Sequence, residues 1–189
     1  MSRGLTPPEL VNTAEWLLWI VSWLLVAMWS DRAVARASNQ LGYRVLNVVG
    51  AVLLFWYHSR AMLWSIPRAV GWTADAIAAV GFLFTWWARI HLGKLWSSQV
   101  TRKAHHPIVD TGPYGIVRHP IYTGLSLATI ATMALHGTPA GVAGGLLLIA
   151  GYYAKARVEE RFLREQLGTA AYDGYARRVP MLIPSFRHG

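Results

Sequence analysis

Five apolar segments, each near the length of a membrane-spanning helix, constrain this chain more than any other feature. They cover residues 14–30, 42–63, 72–90, 121–135 and 139–154. A helix of about 20 apolar residues crosses a bilayer, and the two shorter segments approach that length once their polar flanks are counted. The pattern predicts an all-α integral membrane protein with about five transmembrane helices. A short turn joins the last two segments, so they are expected to form a C-terminal helical hairpin.

The composition narrows the class of protein further. Hydrophobic residues make up 54% of the 189 residues and charged residues only 14%, which excludes a disordered chain and disfavours an ordinary soluble domain. A net charge of +9 would suggest nucleic acid binding on a soluble protein. On an apolar chain it indicates basic cytoplasmic loops instead, and no nucleic acid partner is expected. Cysteine is absent and His105-His106 has no partner at metal-ligand spacing, so no metal is expected either.

The basic residues are distributed unequally among the loops. With the N-terminus outside and five spans, only Arg3, Arg60 and Arg68 of the 18 Lys and Arg residues fall on the outer side. Lys and Arg concentrate in cytoplasmic loops of membrane proteins. The sequence therefore predicts a cytoplasmic C-terminus and an external turn at residues 136–139, in the cell inner membrane if the protein is bacterial.

The most informative local signals precede and open the fourth apolar segment. Gly112-Pro113 is typical of a turn. Pro120 suits the first position of a helix, and His119 before it would lie at the helix entrance, beside free N–H groups that attract anions. A purely structural alternative is an interfacial cap, in which Arg118 reaches the headgroups and Tyr122 joins an aromatic belt.

Two neighbouring carboxylates, Glu159 and Glu160, follow the fifth apolar segment. Negative charge is unfavourable near a helix C-terminus, so they need a reason unless the helix continues beyond them. One interpretation is a continuing helix with an i,i+4 pair between Glu160 and Arg164. The other is ligand binding. The short turn between the last two segments sets their inner ends side by side, which brings His119 and Tyr122 near these carboxylates.

Several motifs occur together in a fixed order. They are His91-Leu-Gly-Lys-Leu-Trp-Ser97, Gly112-Pro-Tyr, Arg118-His-Pro-x-Tyr-x-Gly124, Glu159-Glu160 and Gly168-x-x-x-Tyr172-x-x-Tyr175-x-x-x-Val179-Pro180. This arrangement resembles the isoprenylcysteine carboxyl methyltransferase family, which is similar to the phospholipid N-methyltransferases. The resemblance covers about residues 89–184. It implies an integral membrane enzyme with three N-terminal transmembrane helices in residues 1–88 and a catalytic half in residues 89–189.

The resemblance also implies a cytoplasmic pocket for S-adenosylmethionine. The implied cofactor-binding residues are Gly112, Pro113, Tyr114, Arg118, His119, Tyr122, Glu159 and Glu160. Of these, His119 and Tyr122 would hold the methionine moiety, and one of the two glutamates would bind its ammonium or the ribose hydroxyls. Tyr114 and its loop would cover the adenosine. His119 and Glu160 are the implied catalytic residues, and Trp96 and Arg157 the implied contacts to the substrate.

Methyl transfer from a sulfonium suits a sparse site. An in-line displacement on a carboxylate acceptor needs alignment and no base. The expected acceptor is a lipophilic small molecule or a lipidated substrate that enters from the membrane lipid. An isoprenyl-type carboxylate is the first candidate. A phospholipid amine is the second, and His119, Glu159 or Glu160 would then take its proton.

Two other functions fit parts of the sequence. One is a membrane NADPH-dependent reductase of the sterol or enone type, whose C-terminal helices resemble this family. The other is a non-enzymatic membrane transporter or scaffold, for which discontinuous central helices would be expected. No G-x-G-x-x-G motif follows a strand, so a soluble-type methyltransferase domain is not indicated.

Overall fold

The computed structural model of the protein describes residues 4–27, 33–36, 40–56, 61–93, 101–103 and 108–185. Seven helices lie within these ranges: α1 (Pro7–Ala27), α2 (Leu41–Leu54), α3 (Arg68–Leu92), α4 (Pro113–Ile116), α5 (Pro120–His136), α6 (Pro139–Leu167) and α7 (Thr169–Arg178). Two short strands, β1 (Ala33–Arg36) and β2 (Thr101–Lys103), pair antiparallel. The described part of the chain is therefore helical, as predicted, except for one small ribbon that the all-α prediction did not include.

The ribbon joins two loops that the sequence assigns to the same side of the membrane. Ala33 lies opposite Lys103, and Arg36 lies opposite Thr101. Because β1 follows α1 and β2 follows α3, the pairing brings the C-terminal ends of these two helices together. The Arg89 guanidinium strengthens this link by donating a hydrogen bond of 3.0 Å to the carbonyl oxygen of Val26.

The structure corrects the predicted limits of two segments. The first helix begins at Pro7 rather than at residue 14, because the backbone N–H and the hydroxyl of Thr6 both donate to Glu9 and close its first turn. The second helix ends at Leu54 instead of residue 63. Of its predicted continuation, Leu63 lies at the α5–α6 turn, where its N–H donates to the Gly137 carbonyl oxygen at 2.7 Å.

Among the described residues, two helices are long and apolar enough to cross a membrane by length and composition, Pro7–Val26 and Arg68–Leu92. Large apolar side chains on both point away from the protein, for example Leu18 at 71% and Ile90 at 72% exposure. A soluble monomer rarely exposes such continuous apolar faces, whereas lipid would cover them. The total of five spans remains a prediction.

Glycine contacts fix how the helices pair. Helix α3 packs antiparallel against α5, and α2 packs antiparallel against α6. A Cβ atom on Gly81 would lie 2.6 Å from the Gly124 carbonyl oxygen, and one on Gly50 would lie 2.8 Å from that of Gly144. Gly145 meets the Met133 side chain of α5, so α6 also packs closely against α5. These contacts place the starts of α2 and α5 beside the middle of α6.

The predicted turn between the last two apolar segments is present. Helix α5 ends in the left-handed residue Gly137 (φ 59°), which closes the helix with an N–H···O bond to Met133. Helix α6 begins after Thr138, whose hydroxyl accepts a hydrogen bond of 3.0 Å from the N–H of Gly141. The two helices therefore return on each other and their far ends lie side by side.

The membrane orientation can be tested with single cysteines, because the chain has no cysteine of its own. A thiol introduced by Ala140→Cys, at the α5–α6 turn, should react with a membrane-impermeant maleimide on intact cells. One introduced by Ser185→Cys, an exposed position near the C-terminus, should react only after permeabilisation. The reason is the concentration of basic residues on the inner side. Labelling of the second variant but not the first on intact cells would show that the orientation is the opposite of the predicted one.

Candidate functional site

The turn before α5 is held in place by residues about 60 positions later in the chain. The N–H groups of Arg118 and His119 donate to the carbonyl oxygens of Pro180 at 2.8 Å and Met181 at 3.1 Å. The Thr123 hydroxyl donates to the next carbonyl oxygen along the same segment, at 2.6 Å. We call residues 179–182 the strap. It fixes the backbone from which the Arg118 and His119 side chains enter the protein.

Arg118 is the centre of the polar network. Its Nε and Nη2 atoms lie 2.7 and 2.6 Å from Glu160 Oε1, while Nη1 donates to the carbonyl oxygens of Ala176 and Val179. The side chains are 11% exposed for Arg118 and 4% for Glu160. Arg118 therefore does not reach the headgroups, and the interfacial-cap interpretation is wrong for this residue.

His119 lies between the two carboxylates of α6. Its Nδ1 is 3.4 Å from Glu159 Oε2, and its Nε2 is 3.4 Å from Glu160 Oε1. The residue occupies the N-cap position of α5, but its side chain makes no capping hydrogen bond, so the ring serves the carboxylates rather than the helix. We call Arg118, His119, Glu159 and Glu160 the charged cluster.

The charges of the cluster depend on one another. Burial disfavours the imidazolium and lowers the pKa of His119, but hydrogen bonding and attraction from the two glutamates outweigh it, so the pKa is raised. For Glu160, burial disfavours the carboxylate and raises the pKa, but His119 and Arg118 outweigh this effect and lower the pKa to about 2. The pKa of Glu159 is also lowered against the effect of burial, first by its hydrogen bond to His119. Both carboxylates are therefore ionised at neutral pH.

Tyr122 extends the cluster into an aromatic stack. Its hydroxyl donates to Glu159 Oε1 at 2.5 Å. Its ring stacks on His119 at a centroid distance of 5.7 Å and on Tyr152 at 6.2 Å. The Lys155 ammonium lies 5.5 Å from the centre of the Tyr122 ring. The side chain of Tyr122 is thus fixed at its hydroxyl and at its ring.

The Gly-Pro-Tyr loop lies beside the cluster. Gly112 has a φ of 55°, which favours glycine. The Tyr114 carbonyl oxygen accepts a hydrogen bond of 2.7 Å from the Tyr175 hydroxyl. The Tyr114 ring stacks on the His91 ring at a centroid distance of 6.4 Å. Burial raises the pKa of Tyr114, and the negative charge of Glu159 raises it further, so its hydroxyl lies within the field of the cluster.

Helix α6 continues to Leu167, so the two glutamates lie within a helix and not at its end. The alternative pairing of Glu160 with Arg164 is weak, since their closest atoms are 4.0 Å apart. Arg164 pairs mainly with Asp173 on α7, at 2.7 Å. The buried carboxylate of Glu160 thus interacts mainly with the charged cluster and only weakly with Arg164 of its own helix.

The polar segment before α5 contacts the polar segment after α6, through Tyr114 with Tyr175 and Asp110 with Arg178. Not all predicted site residues join the cluster, however. Arg157 is exposed on α6, and Trp96 lies outside the described residues. Within the described ranges, no group of three or more His, Asp or Glu side chains is placed to hold a metal ion.

Tyr43, Tyr152 and Lys155 also reach the site, although no sequence motif marks them. They reach it because α2 packs on α6 and because one turn of α6 separates Lys155 from Glu159. The only available signal was helical spacing, i to i+4, which places Lys155 on the same face as Glu159.

Comparison with known proteins agrees with the motifs. The sequence model described as the isoprenylcysteine carboxyl methyltransferase (ICMT) family matches residues 74–165. Protein-S-isoprenylcysteine O-methyltransferase B of Arabidopsis thaliana is 28% identical over 147 residues, which cover 74% of this chain and 69% of that protein. Methanethiol S-methyltransferase 2 of Bradyrhizobium diazoefficiens is 30% identical over 172 residues, 82% of this chain and 63% of that protein.

A third relative has a name of another kind. The cobalt-zinc-cadmium resistance protein CzcN of Cupriavidus metallidurans is 30% identical over 115 residues, or 60% of this chain and 51% of that protein. The chain thus spans about half to two thirds of the length of these relatives. Fold and cluster together define a helical protein of membrane type with one buried charged site. The match over residues 74–165 and the names of two relatives support the isoprenylcysteine carboxyl methyltransferase family.

Proposed function

We propose that this protein is an integral membrane methyltransferase that uses S-adenosylmethionine and acts on a lipophilic acceptor. The observation that carries the proposal is the buried charged cluster, which is built from the Arg-His-Pro and Glu-Glu motifs. A purely structural role does not require four ionisable side chains in one buried network, because buried ion pairs stabilise poorly for their cost. The names of two relatives as methyltransferases support the same activity.

The residues present fit this cofactor. S-Adenosylmethionine supplies a methyl group on a positively charged sulfur, together with an ammonium and a carboxylate. The ionised Glu159 would bind the ammonium, and the N-terminus of α5 suits the carboxylate. Tyr114 and the Gly112-Pro113 turn would cover the adenosine. Arg118 would act as a positioning residue that holds the Glu160 carboxylate and the strap.

The charge state of the cluster favours an acceptor that is already anionic. A protonated amine must lose a proton before it attacks, which requires a base with a pKa near neutral. Glu160, with a pKa of about 2, is a weak base, and the two carboxylates raise the pKa of His119 and so favour its protonated form. We therefore propose a carboxylate acceptor on a lipophilic, isoprenyl-type molecule. Arg157, exposed on α6, would attract that carboxylate.

We further propose that residues 89–189 form the catalytic half and that the site faces the cytoplasm. The basic residues concentrate on the side where α5 begins. A charged, nucleotide-like cofactor would arrive there from water, while a lipophilic acceptor would arrive from the bilayer. Trp96 is proposed as an acceptor contact.

The test is calorimetric titration of the purified protein with S-adenosylhomocysteine and, separately, with NADPH. S-Adenosylhomocysteine should bind, and NADPH should not. His119→Ala and Glu159→Gln should each weaken binding by about 1–3 kcal/mol, the cost of losing a charge-assisted hydrogen bond. Arg177→Ala, at an exposed position of α7, is the matched control and should bind normally. Binding of NADPH alone would favour the reductase. Wild-type affinity in both variants would show that the charged cluster does not bind the cofactor.

A further inference from the structure

A cation of the protein itself lies between two tyrosine rings near the charged cluster. The Lys155 ammonium is 5.8 Å from the centre of the Tyr43 ring and 5.5 Å from that of Tyr122. The two rings come from different helices, α2 and α5, and both residues are buried, at 6% and 8% exposure. Both distances are within the range of a cation–π interaction, about 6 Å. The position between the rings therefore attracts positive charge.

A carboxylate adds to this attraction. The Tyr122 hydroxyl donates to Glu159 Oε1, so one of the two rings is fixed beside an ionised side chain. The other ring is held from the far side, because the Tyr43 hydroxyl donates to Gln40 Oε1 at 2.7 Å. Lys155 itself is only half-buried and has a flexible stem of four carbons, so its ammonium can leave the rings without unfolding the helix.

A sulfonium differs from an ammonium in one relevant way. It has no N–H groups, so it cannot be held by hydrogen bonds to acceptors. Aromatic faces and a nearby negative charge are the groups that can stabilise it. Tyr43, Tyr122 and Glu159 supply this combination, and they do so next to the residues that would bind the rest of the cofactor.

We propose that the rings of Tyr43 and Tyr122 form the seat for the sulfonium of S-adenosylmethionine, and that Lys155 occupies this seat until the cofactor displaces it. The proposal rests on the proposed function. Two cations cannot share the seat, because like charges at such distances repel. Lys155 therefore competes with the cofactor and not with its neutral product.

This competition would help the protein to discriminate between cofactor and product. In the transfer, the S–CH₃ bond breaks with its electron pair remaining on sulfur, and a bond forms between that methyl group and an acceptor carboxylate oxygen. A sulfonium and a carboxylate thus become a neutral thioether and a neutral ester. The thioether gains little from the tyrosine faces, so Lys155 can return to the seat as the product leaves.

The experiment measures the affinities of S-adenosylmethionine and S-adenosylhomocysteine for each variant of the full-length protein in detergent. Lys155→Met removes the competing cation and should tighten S-adenosylmethionine roughly tenfold, with a change of less than about threefold for S-adenosylhomocysteine. Arg161→Met is the matched control, since it removes one positive charge from an exposed position of the same helix. It should leave the ratio of the two affinities unchanged.

The tyrosine face is tested by a second pair of variants. Tyr43→Leu should weaken S-adenosylmethionine roughly three- to tenfold and leave S-adenosylhomocysteine within about twofold, whereas Tyr43→Phe keeps the ring and should retain the wild-type ratio. If Lys155→Met weakened both ligands equally, Lys155 would be a direct ligand and the seat would be rejected. An unchanged ratio in every variant would also reject it. Failure of both ligands to bind the wild-type protein would overturn the proposed function itself.

Discussion

Replacing Arg118 with alanine should destabilise the protein by about 3 kcal/mol. Removing one partner of a buried ion pair leaves the other charge uncompensated, at a cost of roughly 3–5 kcal/mol. Here the remaining charge is Glu160, whose side chain is 4% exposed, and the carbonyl oxygens of Ala176 and Val179 lose their hydrogen bonds from Arg118. The lower end of the range applies because His119 stays beside the carboxylate.

Thermal unfolding in one detergent, followed by circular dichroism, measures this effect. Arg178→Ala is the matched control, because its pair with Asp110 is 64% and 44% exposed and such surface pairs contribute about 0–1 kcal/mol. The double variant Arg118→Met with Glu160→Leu removes both charges and should recover much of the loss, without recovering cofactor binding. Equal losses for Arg118→Ala and Arg178→Ala would show that burial of the cluster does not matter.

Lengthening the apolar tail of the methyl acceptor should lower its apparent KM by about fourfold for each added CH₂, until the apolar groove is filled. Each buried CH₂ contributes about 0.8 kcal/mol, which corresponds to that factor. The reason for expecting a lipophilic acceptor is the apolar surface of the helices around the site, with Leu83 69% exposed and Ile90 72% exposed on α3. Over several carbons this becomes the largest effect expected for the protein.

The series should keep one reacting carboxylate and vary only the thioether tail, as in N-acetyl-S-alkylcysteines assayed below their aggregation limits. The apparent KM for S-adenosylmethionine is the internal control and should not change with tail length. A short, water-soluble acceptor that performed as well as its long-chain homologue would exclude delivery from the bilayer.

The core of the candidate site could be predicted because its motifs are local. Pro120 marks the start of α5, and the short turn after His136 requires α5 and α6 to lie side by side. From these two facts, the approach of His119 to Glu159 and Glu160 follows without further information. Each step uses only residues that are neighbours in sequence or joined by one hairpin.

The remaining features depend on contacts between distant parts of the chain. Tyr43 joins Lys155 only because Gly50 lets α2 approach α6, and hydropathy does not reveal which helices are neighbours. The early end of α2 has a similar cause. The residues after Leu54 are apolar enough for a helix, but Trp64 donates instead to the Ala134 carbonyl oxygen near the end of α5. Tertiary hydrogen bonds thus prevail over local propensity there.

The strap has a consequence for the order in which the molecule is completed. Arg118 and its carbonyl partners in Ala176 and Val179 are 58 and 61 residues apart, so α5, α6 and α7 must all leave the ribosome first. A nascent chain that stops short of residue 179 has its full set of apolar helices but lacks the backbone that secures Arg118 and His119. Insertion of these helices into the bilayer can therefore precede assembly of the charged cluster, which waits for residues 179–181.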